Sequence, residues 1–258
     1  DVWEIVVYNK EGFFRCTYNI FRLSGGKFIN YNPDSDWQFL GKCNGKLYAE
    51  ESKSGLKVWD GNNWAPAISN NLQLTHDPIT GMMPLAGGGA LVATLKSGLF
   101  RLKGTEISSE GFANEAVFKK ERIYAAAALD TDRVVLATSN AGMFVIDTSG
   151  NIIQSISAAE GLQNDNVLSV LPDKEGNIWL GLDNGIDFIT YNNAVKQINP
   201  LYQNSSGYAA IVHDKHLYIG TANGLYSTEL QDMPDLSFSR GHFEAVANTT
   251  GQTWGLAN

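Results

Sequence analysis

The sequence predicts an all-β protein, a β-propeller of four-stranded blades with six full blades plus a partial seventh. Three observations predict it. A short turn ending in glycine recurs at Gly55, Gly98, Gly142, Gly185 and Gly224, at spacings of 43, 44, 43 and 39 residues. Each glycine is followed by Leu, Ile or Met and an alternating strand, and is preceded by a second strand (LYAEE, ALVAT, VVLAT, IWLGL, LYIGT). Helical periodicity of useful length is absent. Four strands in about 40 residues, repeated, is the pattern of propeller blades and not of helical-pair or leucine-rich solenoids.

The blades follow in order, at approximately 1–32, 33–75, 76–119, 120–163, 164–205 and 206–242. In the first, TYNIFRL places Asn19 in the glycine slot, 36 residues before Gly55. Asn tolerates the positive φ of a tight turn best after Gly, so this is the substitution the geometry allows. The second, third and fourth blades carry SKSGLKVW, LKSGLFRL and SNAGMFVI. The fifth is the sharpest: VLSVLP at 167–172, a turn around Gly176, IWLGL, LDNGIDFI at 182–189, and AVKQIN at 194–199 as the fourth strand. The sixth carries a D-K-H turn at 214–216, LYIGT and TANGLYS. Residues 243–258 are expected to open a seventh blade with a T-T-G turn at 249–251, the chain being a piece of a seven-bladed or longer propeller. Val92, Leu136, Trp179 and Tyr218 each lie six residues before their glycine, which predicts a shared role in packing between blades.

Composition narrows the function. The 258 residues are 43% hydrophobic and carry a net charge of −8 with Lys and Arg scattered, so no nucleic-acid partner is expected. No run approaches the roughly 18 apolar residues of a membrane span, so the segment predicts no membrane contact. The opening DVWEIVVY lacks the basic and small-residue features of a signal peptide and reads as a strand. Cys16 and Cys43 have no metal or redox spacing; they read as buried free thiols on two strands, with a disulfide as the alternative.

Chemistry-bearing motifs are few. His213 and His216 in H-D-K-H flank a hairpin, where they are expected to diverge and have no third ligand. Asp173, Glu175 and Asn177 lack calcium-loop spacing and fit a polar turn. Gly87, Gly88 and Gly89 lack the Lys and helix of a phosphate loop. No G-x-S-x-G elbow occurs. No catalytic residue, metal ligand or cofactor is therefore assigned, and the segment is read as a non-enzyme. Binding remains, on the loops 30–37, 69–81, 157–166 and 201–208. Trp37 and Tyr208 are the residues expected to meet a small molecule, with a glycan suited to aromatic faces among amides and carboxylates. The alternatives are a propeller lyase or hydrolase using such histidines, and a non-catalytic protein-interaction scaffold.

Gly161, Leu162, Val167, Val170, Asp173, Gly176, Trp179, Gly181 and Gly185 together resemble the two-component regulator propeller repeat. WD40 repeats are disfavoured because Trp59-Asp60 occurs once, and Asp-box sialidases because ANTTGQTW at 247–254 lacks the Ser and Asp. The resemblance implies the periplasmic sensor half of a Bacteroidetes-like hybrid histidine kinase or membrane-bound helix-turn-helix regulator. It implies signal transduction, transcription regulation and a homodimer formed through the full-length protein. The kinase, the three-tyrosine sandwich and the membrane helix of such proteins are not among these residues.

Overall fold

The computed structural model describes residues 1–69, 74, 77–109, 111–191, 200, 205–230 and 243–257. It falls into two compact units, one of Asp1–Ala158, Leu162–Lys174 and Ile178–Phe188, the other of Ala159–Gly161, Glu175–Asn177 and Ile189–Asn258.

In the first unit, β1 (Glu4–Tyr8), β2 (Glu11–Arg15), β3 (Ile20–Ser24) and β4 (Lys27–Tyr31) form the first sheet. The second is β5 (Trp37–Cys43), β6 (Lys46–Glu51), β7 (Gly55–Trp59) and β8 (Trp64–Pro66). The third is β9 (Ile79–Pro84), β10 (Ala90–Thr94), β11 (Gly98–Lys103) and β12 (Glu106–Ser108). The fourth is β13 (Ile123–Ala128), β14 (Arg133–Thr138), β15 (Met143–Asp147) and β16 (Ile152–Ile156). The fifth has three strands, β17 (Val167–Pro172), β18 (Ile178–Leu182) and β19 (Gly185–Ile189). The expected fourth strand at 194–199 lies outside the described residues. Each sheet is an up-and-down meander, the strand order of a propeller blade.

First strands sit beside first strands: β1 by β5, β5 by β9, β9 by β13 and β13 by β17. The sheets bury their faces against one another. Phe13, Ile20 and Val6 of the first sheet pack on Trp37, Leu47 and Trp59 of the second. Tyr48 and Leu56 meet Met82, Val92 and Phe100 of the third. Leu91 and Leu99 on its other face meet Leu136, Phe144 and Ile146 of the fourth. Closest approach comes at Gly81 on β9, where a Cβ would lie 2.6 Å from the carbonyl oxygen of Ala126 on β13. Only glycine leaves room there.

Tight turns close the first hairpins as the sequence requires. Asn9 and Lys10 both take positive φ (49° and 66°), as do Asp214 and Lys215 (46° and 61°), the two-residue turn whose twist matches the strands it joins.

Three sequence expectations are corrected. Trp179 does not share the packing role of Val92 and Leu136. The second-hairpin step from the end of one strand to the turn glycine is four residues at Glu51–Gly55, Thr94–Gly98 and Thr138–Gly142, but three at Leu182–Gly185 and at Thr221–Gly224, so Tyr218 is displaced from that slot as well. A one-residue difference flips a side chain to the opposite face. Leu180 therefore takes the slot of Val92 and is fully buried, while Trp179 is 44% exposed with its ring 4.5 Å from Phe188.

A helix, α1 (Glu115–Glu121), interrupts the all-strand reading between β12 and β13. It seats Phe118, fully buried, 6.2 Å from the ring of Phe144. Two turns are too short for a periodic signal.

Among the described residues the second unit holds one sheet, β20 (Gly207–His213), β21 (His216–Thr221), β22 (Gly224–Glu229) and β23 (Glu244–Thr250). Residues 243–258 were expected to form the inner strands of a partial seventh blade. Instead β23 pairs antiparallel with β22, Tyr226 opposite Ala245 and Gly224 opposite Thr250, and completes the sixth sheet. The expected T-T-G hairpin at 249–251 does not form; the backbone runs on to Thr253, whose N–H donates to the Thr221 carbonyl at 3.0 Å. An open strand edge of donors and acceptors takes up the extended segment that reaches it.

Candidate ligand-binding site

The second hairpins are fastened by one recurring contact. Thr94, Thr138 and Thr221, each buried, donate their Oγ1 hydrogens to the carbonyls of Gly98, Gly142 and Gly224 at 3.1, 2.8 and 3.0 Å. In the second sheet the slot is Glu51, preceded by Glu50, and both are buried. Two carboxyl groups at this position need partners, and the neighbouring loops supply them.

Glu51 accepts hydrogen bonds from the backbone N–H and Oγ of Ser35, from Ser54 Oγ at 2.5 Å, and an ion pair from Lys57 Nζ at 2.5 Å. Burial raises its pKa, but Lys57, Ser54 and Ser35 outweigh that and hold it at about 2. Glu50 has fewer partners. Its Oε2 accepts the Ile79 N–H at 2.7 Å. Burial pushes its carboxyl up to about 8, with Asp77 and Asp36 adding to the rise against the Ile79 bond and Arg15. Arg15, also buried, is clamped by both oxygens of Glu4 and donates Nη1 to the Trp37 carbonyl at 2.7 Å. Asp77 is occupied by the N–H groups of Lys96 and Ser97.

Trp37 is therefore not the ligand contact it was expected to be. It is 2% exposed, its indole N–H donates to the Tyr31 carbonyl at 3.2 Å, and its ring packs 5.7 Å from Trp64. At the first position of β5, facing the first sheet, an aromatic side chain is core. The loops around it are similarly self-contained. Asn19 Nδ2 bridges Asn30 and Asn32, and Ser52 Oγ donates to Asp36 at 2.5 Å. In 157–166, Asp165 accepts the Ala158 N–H, and Gln163 donates to Asp187 through backbone and side chain. These polar residues build loops before they meet solvent. Residues 70–73 and 75–76 of the second loop, and 201–204 of the fourth, lie outside the described residues.

Tyr208 is placed differently. It stands near the start of β20, partly exposed, and its ring stacks on Trp254 with centroids 4.2 Å apart and planes 17° from parallel. Trp254 is 65% exposed. An exposed, parallel aromatic pair is a flat apolar platform with polar rims, the surface a sugar face or another planar ligand stacks on. The sequence places Trp254 in a repeat position but gives no sign of this pairing, because the C-terminal segment folds back against Thr221.

His213 and His216 do not diverge as expected. They are opposite each other in register across the Asp214–Lys215 turn, which puts both imidazoles on one face, and His216 Nδ1 lies 2.9 Å from the Asp214 carbonyl oxygen. Among the described residues no group of three or more His, Cys, Asp or Glu is arranged to hold a metal ion. Cys16 and Cys43 are both free; Cys43 is buried, with burial pushing its thiol up to about 11, and Cys16 is only partly buried, not fully as expected. No helix among the described residues is long and apolar enough to cross a membrane.

Comparison with known proteins agrees with this architecture. The model of the two component regulator propeller family matches residues 161–184. A search of curated proteins gives no match. Among solved structures, the chain is similar to the extracellular domain of the putative one component system BT4673 from B. thetaiotaomicron, with 18% identity and a TM-score of 0.57 over 90% of this chain and 33% of that one. It is similar to the extracellular domain of the putative hybrid two component system BT4673 from B. thetaiotaomicron, with 18% identity and a TM-score of 0.59 over 93% and 35% of the two chains. The chain thus spans about one third of the length of each. Residues 161–184 thus match the two component regulator propeller family, in a chain whose described sheets have the strand order of β-propeller blades.

Proposed function

We propose that the chain is part of an extracytoplasmic ligand-sensing propeller of a bacterial signalling protein, and that it binds a small molecule without turning it over. The repeat at residues 161–184 carries this reading, supported by the fold shared with two extracellular domains. A periplasmic location and an oligosaccharide ligand are the finer form of the proposal. The stacked Tyr208–Trp254 pair is the surface we assign to that ligand.

A thermal-shift screen against neutral oligosaccharides tests it, followed by calorimetry on any sugar that raises the melting temperature. A ligand at 100 times its Kd adds about 2.7 kcal/mol to stability. The expected result is a saturable shift that Trp254→Ala removes while the unliganded melting temperature stays put. Binding that Trp254→Ala leaves intact takes the site away from this pair. A chain that no sugar shifts loses the oligosaccharide form of the proposal, and hydrolysis or elimination of a bound sugar would overturn the non-catalytic reading.

A further inference from the structure

A cavity of about 620 Å³ opens in the first unit between the third and fourth sheets, at the end where their first hairpins turn. Its walls come from the β9–β10 turn, β11, β12, and the turns at 131–132 and 148. This is remote in sequence from Tyr208 and uses none of the loops considered above. Leu85 gives it an apolar wall, and the Gly87–Gly88 backbone borders it without side chains.

Of the two cations lining this cavity, Arg101 and Lys103, the arginine is held in place. Arg101 Nη2 donates to the Thr148 carbonyl at 2.9 Å, and its Cζ sits 4.6 Å over the ring of Phe112. Both contacts fix the plane of the guanidinium. Among the described residues Arg101 forms no ion pair with a carboxylate. Its cross-strand neighbour is Ser108, whereas Lys103, two residues on, stands opposite Glu106. The lysine thus has a counter-charge in register and the arginine does not. A half-buried, oriented guanidinium without an anion is a fork for a planar carboxylate. Asp132 on the facing turn supplies an acceptor elsewhere on the rim.

We propose that this cavity binds a small organic acid, its carboxylate on Arg101, its apolar body against Leu85, and a hydroxyl or ammonium donor toward Asp132. The proposal rests on the reading of the chain as a small-molecule binder and gives that reading a second site and a ligand class.

Calorimetry with phenyllactate and phenylalanine as probes tests the site on the whole chain, the first carrying a hydroxyl and the second an ammonium. Phenyllactamide and phenylalaninamide serve as their uncharged-carboxyl controls. The expected result is binding of at least one acid with a Kd at or below about 1 mM, weakened at least about tenfold in its amide and in Arg101→Gln. Thr131→Trp, on the exposed rim, fills the mouth and abolishes binding with an unchanged melting temperature. Arg101→Lys keeps the charge and loses the fork, so it falls between wild type and Arg101→Gln. Failure of both acids to bind, equal binding by acid and amide, or binding that survives Arg101→Gln and Thr131→Trp overturns the proposal. A chain that answers to oligosaccharides but not to these acids loses this site and keeps its proposed function; one that answers to neither loses both.

Discussion

Glu50 Oε2 on β6 accepts the backbone N–H of Ile79, the first residue of β9, so a buried carboxyl group ties the second sheet to the third. The same burial that protects this bond favours the protonated acid. The carboxyl holds its proton to about pH 8, against an ordinary value of 4.5.

Stability should therefore depend on pH through this one group. A raised carboxyl pKa means that the folded state binds the proton more tightly than the unfolded chain. Its contribution is full below about pH 4.5, falls as pH rises, and is gone above about pH 8. Glu50→Gln keeps an oxygen for Ile79 and cannot ionise. We expect it to raise the melting temperature at pH 9 by more than at pH 5. Equal effects at both pH values would show that Glu50 does not carry the dependence.

Glu51 runs the other way. Its carboxyl, held at about 2 by Lys57 and two serines, stabilises the fold above about pH 4.5, and that contribution is lost as pH falls through 2. Lys57→Met leaves a buried carboxylate without its cation and should cost about 3 kcal/mol at pH 7. Denaturant titrations at pH 7 and pH 3 should show the variant's deficit shrinking in acid; a deficit independent of pH would make Lys57 a packing residue only.

Trp37 and Trp254 are both tryptophans near loops, and they should separate cleanly. Trp37→Ala empties a core position between the first two sheets and should cost about 3–5 kcal/mol in urea unfolding. Trp254→Ala should change stability by less than about 0.5 kcal/mol. Similar costs for the two would contradict the burial described for them.

Gly81→Ala tests the closest approach between sheets. The added methyl meets the Ala126 carbonyl, and we expect a loss of about 1–3 kcal/mol, visible as a lower urea midpoint. A neutral substitution would mean that β9 can move away from β13 without cost.

The glycine period made the fold legible, because Gly55, Gly98, Gly142 and Gly224 take the positive φ that restricts which residues can stand in a tight turn; Gly185 and Asn19 do not take it, and the Asn19 side chain instead holds Asn30 and Asn32. Three things were out of reach. Trp37 and Tyr208 look alike in sequence, each an aromatic among turn formers, and only the packing of Trp37 between sheets distinguishes them. The Arg101 cavity is assembled from turns about 45 residues apart, and no local pattern marks it. The pairing of β23 with β22 depends on which open edge the chain reaches, a tertiary outcome that strand periodicity does not encode.

The difference between three- and four-residue second turns bears on how such repeats should be compared. Copies superimposed on their glycines place Trp179 beside Val92 and mix two opposite faces in one column. Copies superimposed on the residue that closes the preceding strand, with the gap left inside the turn, bring Val92, Leu136 and Leu180 into line. Repeats aligned in that second way will report conserved interiors where the first way reports noise.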